Sequence, residues 1–143
     1  MSANEWSVDI QQQLDISVPI DKVFEGVLLQ FSEKMKYPDG RSMNFKLEAR
    51  PGGRWYRDLG NDSGHLWGHV QVIKAPNILE ISGPMFMSYP VLNHFEVRLS
   101  EHEGKTRLNF RHRAVGPVDE QTRTGVSGGW KEMLDELKRD SEA

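Results

Sequence analysis

The sequence contains no cysteine among its 143 residues. Disulfides, thiol nucleophiles and cysteine-ligated metals are thereby excluded, and the composition fits a reducing compartment. It also lacks an excess of either charge: 18 Lys and Arg against 21 Asp and Glu leave a formal net charge of −3. Such a balance offers no footprint for nucleic acid or for an anionic membrane surface. No stretch approaches the ~20 consecutive apolar residues of a membrane span, so no membrane insertion is expected. The first five residues are short and polar, without the basic segment and apolar run of a signal peptide, which points to a cytoplasmic protein. Repeats, low-complexity tracts and linkers are missing as well. A single domain over residues 1–143 is the expectation, and that length can bury roughly two thirds of the unfolded surface.

What is present is dominated by one long amphipathic run at the C-terminus, from Asp119 to Asp140. Val126, Trp130, Met133, Leu134 and Leu137 follow helical spacing and form one apolar stripe. Most of what precedes it alternates with period two. Residues 6–18 place Trp6, Val8, Ile10, Leu14, Ile16 and Val18 on one face, with Gln12 the one polar member. Ile20 to about Lys36 reads as helix, weakened by Gly26 and divisible there into two short helices. Pro38-Asp39-Gly40 closes it as a turn. Strands are then expected from Met43, over 54–59, 65–73, 78–82, 91–99 and 106–115, separated by Gly-, Pro- and Asn-rich turns. Strands joined by short turns pair antiparallel. The fold class is therefore α+β: an antiparallel sheet of about six to seven strands against a long C-terminal helix.

Two apparent catalytic motifs fail on context. His65 and His69 have the i, i+4 spacing of a helical zinc pair, but they fall on a strand. Four residues of strand span about 13 Å, too far for both rings to reach one zinc at ~2 Å. Gly125-Val126-Ser127-Gly128-Gly129 matches a nucleophile elbow literally, yet no strand precedes its serine. No catalytic residue, metal site or cofactor is therefore assigned. The three glycines either bend the helix near its start, permit close approach to the sheet, or leave space for a ligand. Each costs up to ~1 kcal/mol relative to alanine.

A family resemblance rests on Pro51-Gly52-Gly53-Arg54-Trp55, on Gly64 to Val70 with its central Gly68, on Ala75-Pro76 and Leu79-Glu80-Ile81, and on Gly129-Trp130 followed by Leu134 and Leu137. These resemble START/Bet v 1-like domains of the SRPBCC superfamily. The similarity is greatest to the branch named for the activator of the heat-shock-protein-90 ATPase, and it extends over roughly Trp6 to Lys138. The resemblance implies a helix-grip architecture, in which a curved sheet wraps the C-terminal helix and leaves a cavity between them. Members bind lipids, sterols, polyketides, hormones or chaperones, and a few are enzymes, so the fold by itself names no ligand.

The candidate cavity residues follow from which side chains point at the helix. On the last strand Leu108, Phe110, His112 and Ala114 share the inward face, while Arg107, Arg111 and Arg113 point out. Phe95, Val97 and Leu99 point in on the neighbouring strand, with Asn93 on the same face. His112 is thus a polar group aimed at the helix, either as a bonded core histidine or as a ligand or proton-transfer group. Arg98, Arg107, Arg111 and Arg113 form an outward stripe, expected to pair across strands with Glu96 or Asp9, or to meet an acidic partner. Met85, Phe86, Met87 and Tyr89 make an apolar loop suited to a cavity mouth. The cavity is assigned to Trp55, Tyr89, Asn93, Phe95, Phe110, His112, Val126, Trp130 and Met133.

The expected function is burial of a small, largely apolar molecule between sheet and final helix, without catalysis. The alternatives are a cochaperone-like module that stimulates a chaperone ATPase, or an enzyme using His112 as acid or base. Either a monomer or a weak homodimer is compatible with the exposed sheet edges.

Overall fold

The computed structural model describes residues 6–85 and 90–143. In chain order the elements are β1 (Val8–Ile16), α1 (Ile20–Gln30), β2 (Phe45–Leu47), β3 (Arg54–Gly60), β4 (Ser63–Lys74), β5 (Ile78–Gly83), β6 (Leu92–His102), β7 (Lys105–Val115) and α2 (Glu120–Glu142). One seven-stranded sheet runs in the order β1-β7-β6-β5-β4-β3-β2, every neighbouring pair antiparallel. Both helices cover its apolar face.

Alternation in the sequence becomes facing in the sheet. Thr106, Leu108, Phe110, His112 and Ala114 of β7 are buried, as are Asn93, Phe95, Val97 and Leu99 of β6. The opposite face is solvated and charge-paired: Arg107 grips Asp15 at 2.9 Å, Arg111 meets Asp9 at 3.0 Å and Arg98 meets Glu96 at 3.4 Å. Asp9 and Glu96 are the expected partners, although Glu96 meets Arg98 within β6 and not across strands, and Asp15 is a further partner. The β3–β4 turn puts Asn61 and Asp62 at φ of 52° and 59°, the left-handed pair that a two-residue hairpin requires.

The core is an aromatic cluster. Phe31 stacks on Phe95 at 5.0 Å, Trp55 meets Phe95 and Trp67 edge-on at 5.2 and 5.3 Å, and Phe110 lies 4.7 Å from Trp130. Such pairs add ~0.5–1.5 kcal/mol each beyond the area they bury.

Both helices differ from the reading of the sequence. α1 is one helix through Gly26, not two, and it ends at Gln30 rather than near Lys36. Gly26 is explained by close approach: a Cβ there would lie 2.8 Å from Leu137 Cδ1, where α1 crosses α2. The early stop follows from Phe31, whose ring enters the cluster and whose carbonyl accepts Trp55 Nε1–H at 2.7 Å. In α2, begun by Asp119 capping the Thr122 amide at 2.7 Å, the buried stripe is Trp130, Leu134, Leu137 and Ser141. Nothing from Glu120 to Gly129 is buried. The amphipathic stripe is thus fully buried only in the second half of the helix, while Val126 in the first half is half-buried against the core.

The glycines of that first half do not serve close approach to the sheet. A Cβ at Gly125, Gly128 or Gly129 would meet nothing within 4 Å. Gly128→Ala should therefore stabilise the protein by about 0.5–1 kcal/mol, the helix-propensity difference, with no packing penalty. A thermal melt checks this, and an unchanged or lowered Tm would mean that the helix is not continuous there.

Candidate functional site

The expected cavity around His112 is filled. The ring is 0 % exposed. Trp130 Nε1–H donates to its Nδ1 at 2.9 Å, so the proton resides on Nε2, which donates to Asn93 Oδ1 at 2.7 Å. Asn93 in turn donates to the Pro84 carbonyl at 3.2 Å. A helix, two strands and the segment after β5 are tied together through one imidazole. Burial pushes the His112 pKa down to about 4, with a smaller contribution from His94. Both ring nitrogens are bonded to protein, and the ring stays neutral. This arrangement opposes the acid–base reading of His112 on geometric grounds.

An open groove of about 740 Å³ lies elsewhere, between α2, from Thr122 to Arg139, and the segment after α1. Its apolar surface comes from Met35, Trp67, Met85, Val126, Trp130 and Met133. Its uncharged polar side chains are Gln30, 2 % exposed, at the end of α1, Tyr37 in the segment after it, and Thr122 of α2. The outer rim is charged, with Lys34, Lys36 and Arg139 facing Glu132, Asp135 and Glu136. A groove of this size with apolar walls and a few polar groups suits a small organic molecule or an inserted side chain.

Each wall has a local cause. The segment after α1 folds back as a hairpin: Met43 N–H reaches the Met35 carbonyl at 3.0 Å and Tyr37 N–H the Arg41 carbonyl at 2.9 Å, across the Pro38-Asp39-Gly40 turn. Two ion pairs tie it to α2, Lys34–Asp140 at 2.7 Å and Lys36–Glu136 at 2.6 Å. Trp67 is turned inward by a bulge, where Trp55 pairs with Gly68 while Tyr56 pairs with Leu66. The same bulge leaves His69 exposed. Gly125 and Gly129 line the opposite wall.

Of the residues assigned to a cavity from the sequence, Val126, Trp130 and Met133 line this groove. Trp55, Asn93, Phe95, Phe110 and His112 are packed into the core instead. Tyr89, with Phe86 and Met87, lies outside the described residues. Gln30, Met35, Tyr37 and Trp67 were not foreseen. The available signal was Tyr37-Pro38-Asp39-Gly40 with Met35 just before it, hidden by extending α1 too far.

A seven-stranded antiparallel sheet against a long C-terminal helix defines the helix-grip class, whose members are ligand-binding or protein-interaction modules. More narrowly, the chain belongs to the family described as activator of Hsp90 ATPase homolog 1-like proteins, whose profile matches residues 17–140. No curated protein matches the sequence. Solved structures share the fold. CalU16 from Micromonospora echinospora is 23% identical, covering 94% of this chain and 76% of its own, at a TM-score of 0.66. Protein CV1439 from Chromobacterium violaceum is 14% identical over 95% and 99% of the two chains, at 0.72. The Aha1 dimer from Colwellia psychrerythraea is 15% identical over 94% and 96%, at 0.68. At these identities the likeness is one of fold. Among the described residues no helix is long and apolar enough to cross a membrane, and no cluster of side chains suits a metal ion.

Proposed function

We propose that this protein binds a small, largely apolar molecule in the groove between α2 and the segment after α1. The observation that carries the reading is the groove itself: half-exposed Met35, Val126 and Met133 form its apolar walls, over a floor of buried Trp67, Met85 and Trp130. Open apolar surface of this kind is covered by an occupant at ~25 cal/mol per Å² buried. The test is a titration with the neutral fluorophore N-phenylnaphthylamine. Saturable binding to the wild type is expected, reduced at least about tenfold in Gly129→Leu by a side chain placed in the groove. Because a Cβ at position 129 meets open space, that variant should fold as well as the wild type. Equal binding by both would remove the groove as the site.

A second reading, a cochaperone-like module, is favoured by the family match, which bears more directly on it than on a small ligand. Here the same apolar groove would receive a side chain of the partner. Stimulation of a chaperone ATPase, lost in Gly129→Leu, is the outcome that selects it. A homodimer is compatible with the likeness to a dimeric relative, and sedimentation over a concentration series tests it.

A further inference from the structure

We infer that the occupant of the groove is an apolar carboxylate, its anionic head read by Arg57 and Tyr37. This rests on the reading of the groove as a small-molecule site and adds the chemical class. Arg57 sits on the helix-facing side of β3, two residues after buried Trp55 and paired with buried Phe45. Its Nη2 donates to the Tyr37 hydroxyl, its guanidinium lies 5.0 Å from the Tyr37 ring, and Tyr37 lines the groove.

No carboxylate pairs with Arg57 among the described residues, and its Nε is buried without a hydrogen-bond partner. The acids around it are committed elsewhere. Asp58 holds Lys46 at 2.9 Å, Asp39 holds Arg41 at 2.8 Å and Glu48 holds Arg54 at 2.9 Å. A half-buried guanidinium that keeps its charge and lacks a counter-ion is costly, and an incoming anion removes that cost. The chemistry selects a carboxylate. The guanidinium fork matches its two oxygens, and a phenol that already accepts from a cation is a stronger donor to an anion. The three cations and three carboxylates on the rim cancel, which leaves the sign to Arg57, behind the groove wall and joined to it through the Tyr37 hydroxyl.

The experiment compares decanoate with decanol at pH 7.5, followed by quenching of tryptophan fluorescence, since Trp67 and Trp130 line the groove. The two probes share their apolar body and differ in the head. The wild type should prefer decanoate. Arg57→Gln should weaken decanoate about tenfold and decanol less than about twofold, the loss expected for a charged hydrogen bond. Arg57→Lys should fall between, retaining charge without the fork. Tyr37→Phe keeps the stacked ring, removes the donor, and should weaken decanoate alone, which covers the case of an Arg57→Gln protein that does not fold. If Arg57→Gln lowers Tm but shifts both probes alike, Arg57 is structural and the inference is overturned while the groove stands. If neither probe binds the wild type, the groove reading fails and the inference fails with it.

Discussion

Replacing Trp130 by alanine should cost about 4 kcal/mol, in the ~3–5 kcal/mol range for deleting a buried large aromatic. Three losses combine. The indole is 6 % exposed and packs against Phe31, Phe95 and Phe110 at 5.9, 5.5 and 4.7 Å, so its removal opens a void at the centre of the cluster. It is also the first buried residue of α2, and without it the helix keeps only Leu134, Leu137 and Ser141 against the sheet. Finally, His112 Nδ1 loses its donor, and an unsatisfied buried acceptor costs ~1–3 kcal/mol by itself. Trp130→Phe separates that last part, because it keeps most of the ring volume and removes only the N–H. A fall in Tm on the order of 10–15 °C is expected for the alanine variant. The phenylalanine variant should lose a smaller but definite share. An unaffected Trp130→Phe protein would mean that the indole–imidazole bond contributes nothing.

Acid should destabilise the protein well before its carboxylates titrate. The His112 pKa is pushed down to about 4 from an ordinary 6.5, so between those values the unfolded chain binds a proton that the folded one refuses. Stability is then fully present above pH 6.5 and is lost progressively as pH falls towards 4. A displacement of this size corresponds to about 3 kcal/mol, at ~1.4 kcal/mol per pH unit. Asp15 and Asp140, held below the usual carboxylate range by Arg107 and Lys34, act in the same direction only at lower pH. The measurement is the urea midpoint from pH 7.5 to 4. His112→Gln, which cannot titrate, should be weaker at neutral pH and nearly flat down to about pH 4.5. Parallel slopes for the two proteins would contradict a buried neutral imidazole.

The strands were legible because their alternation is strict. Phe110 and His112, or Phe95 and Asn93, declare their facing by their neighbours, and the structure buries all four. The family could be read from short motifs such as Pro51-Gly52-Gly53-Arg54-Trp55, and the profile match agrees. The site was less legible, for two physical reasons. An inward-facing polar residue looks the same in sequence whether it lines a cavity or is fully bonded. His112 is the second kind, because Trp130 and Asn93, distant in sequence, occupy both of its nitrogens. The groove, in turn, depends on where elements stop. Phe31 ends α1 by docking its ring and carbonyl onto Trp55, and the apolar stripe of α2 starts to be buried only at Trp130. Both boundaries are set by tertiary packing, which no local pattern records. The bulge that turns Trp67 inward is of the same kind, although Gly68 marked the place.

The proposed site is the open groove and not the surroundings of the buried histidine. Amide chemical shifts followed by NMR during a titration with N-phenylnaphthylamine test this most directly. Binding in the groove shifts the amides of Met35, Tyr37, Val126, Gly129 and Met133, while Asn93 and His112 stay in place. Shifts centred on Asn93 and His112, or no saturable shifts anywhere, would contradict it.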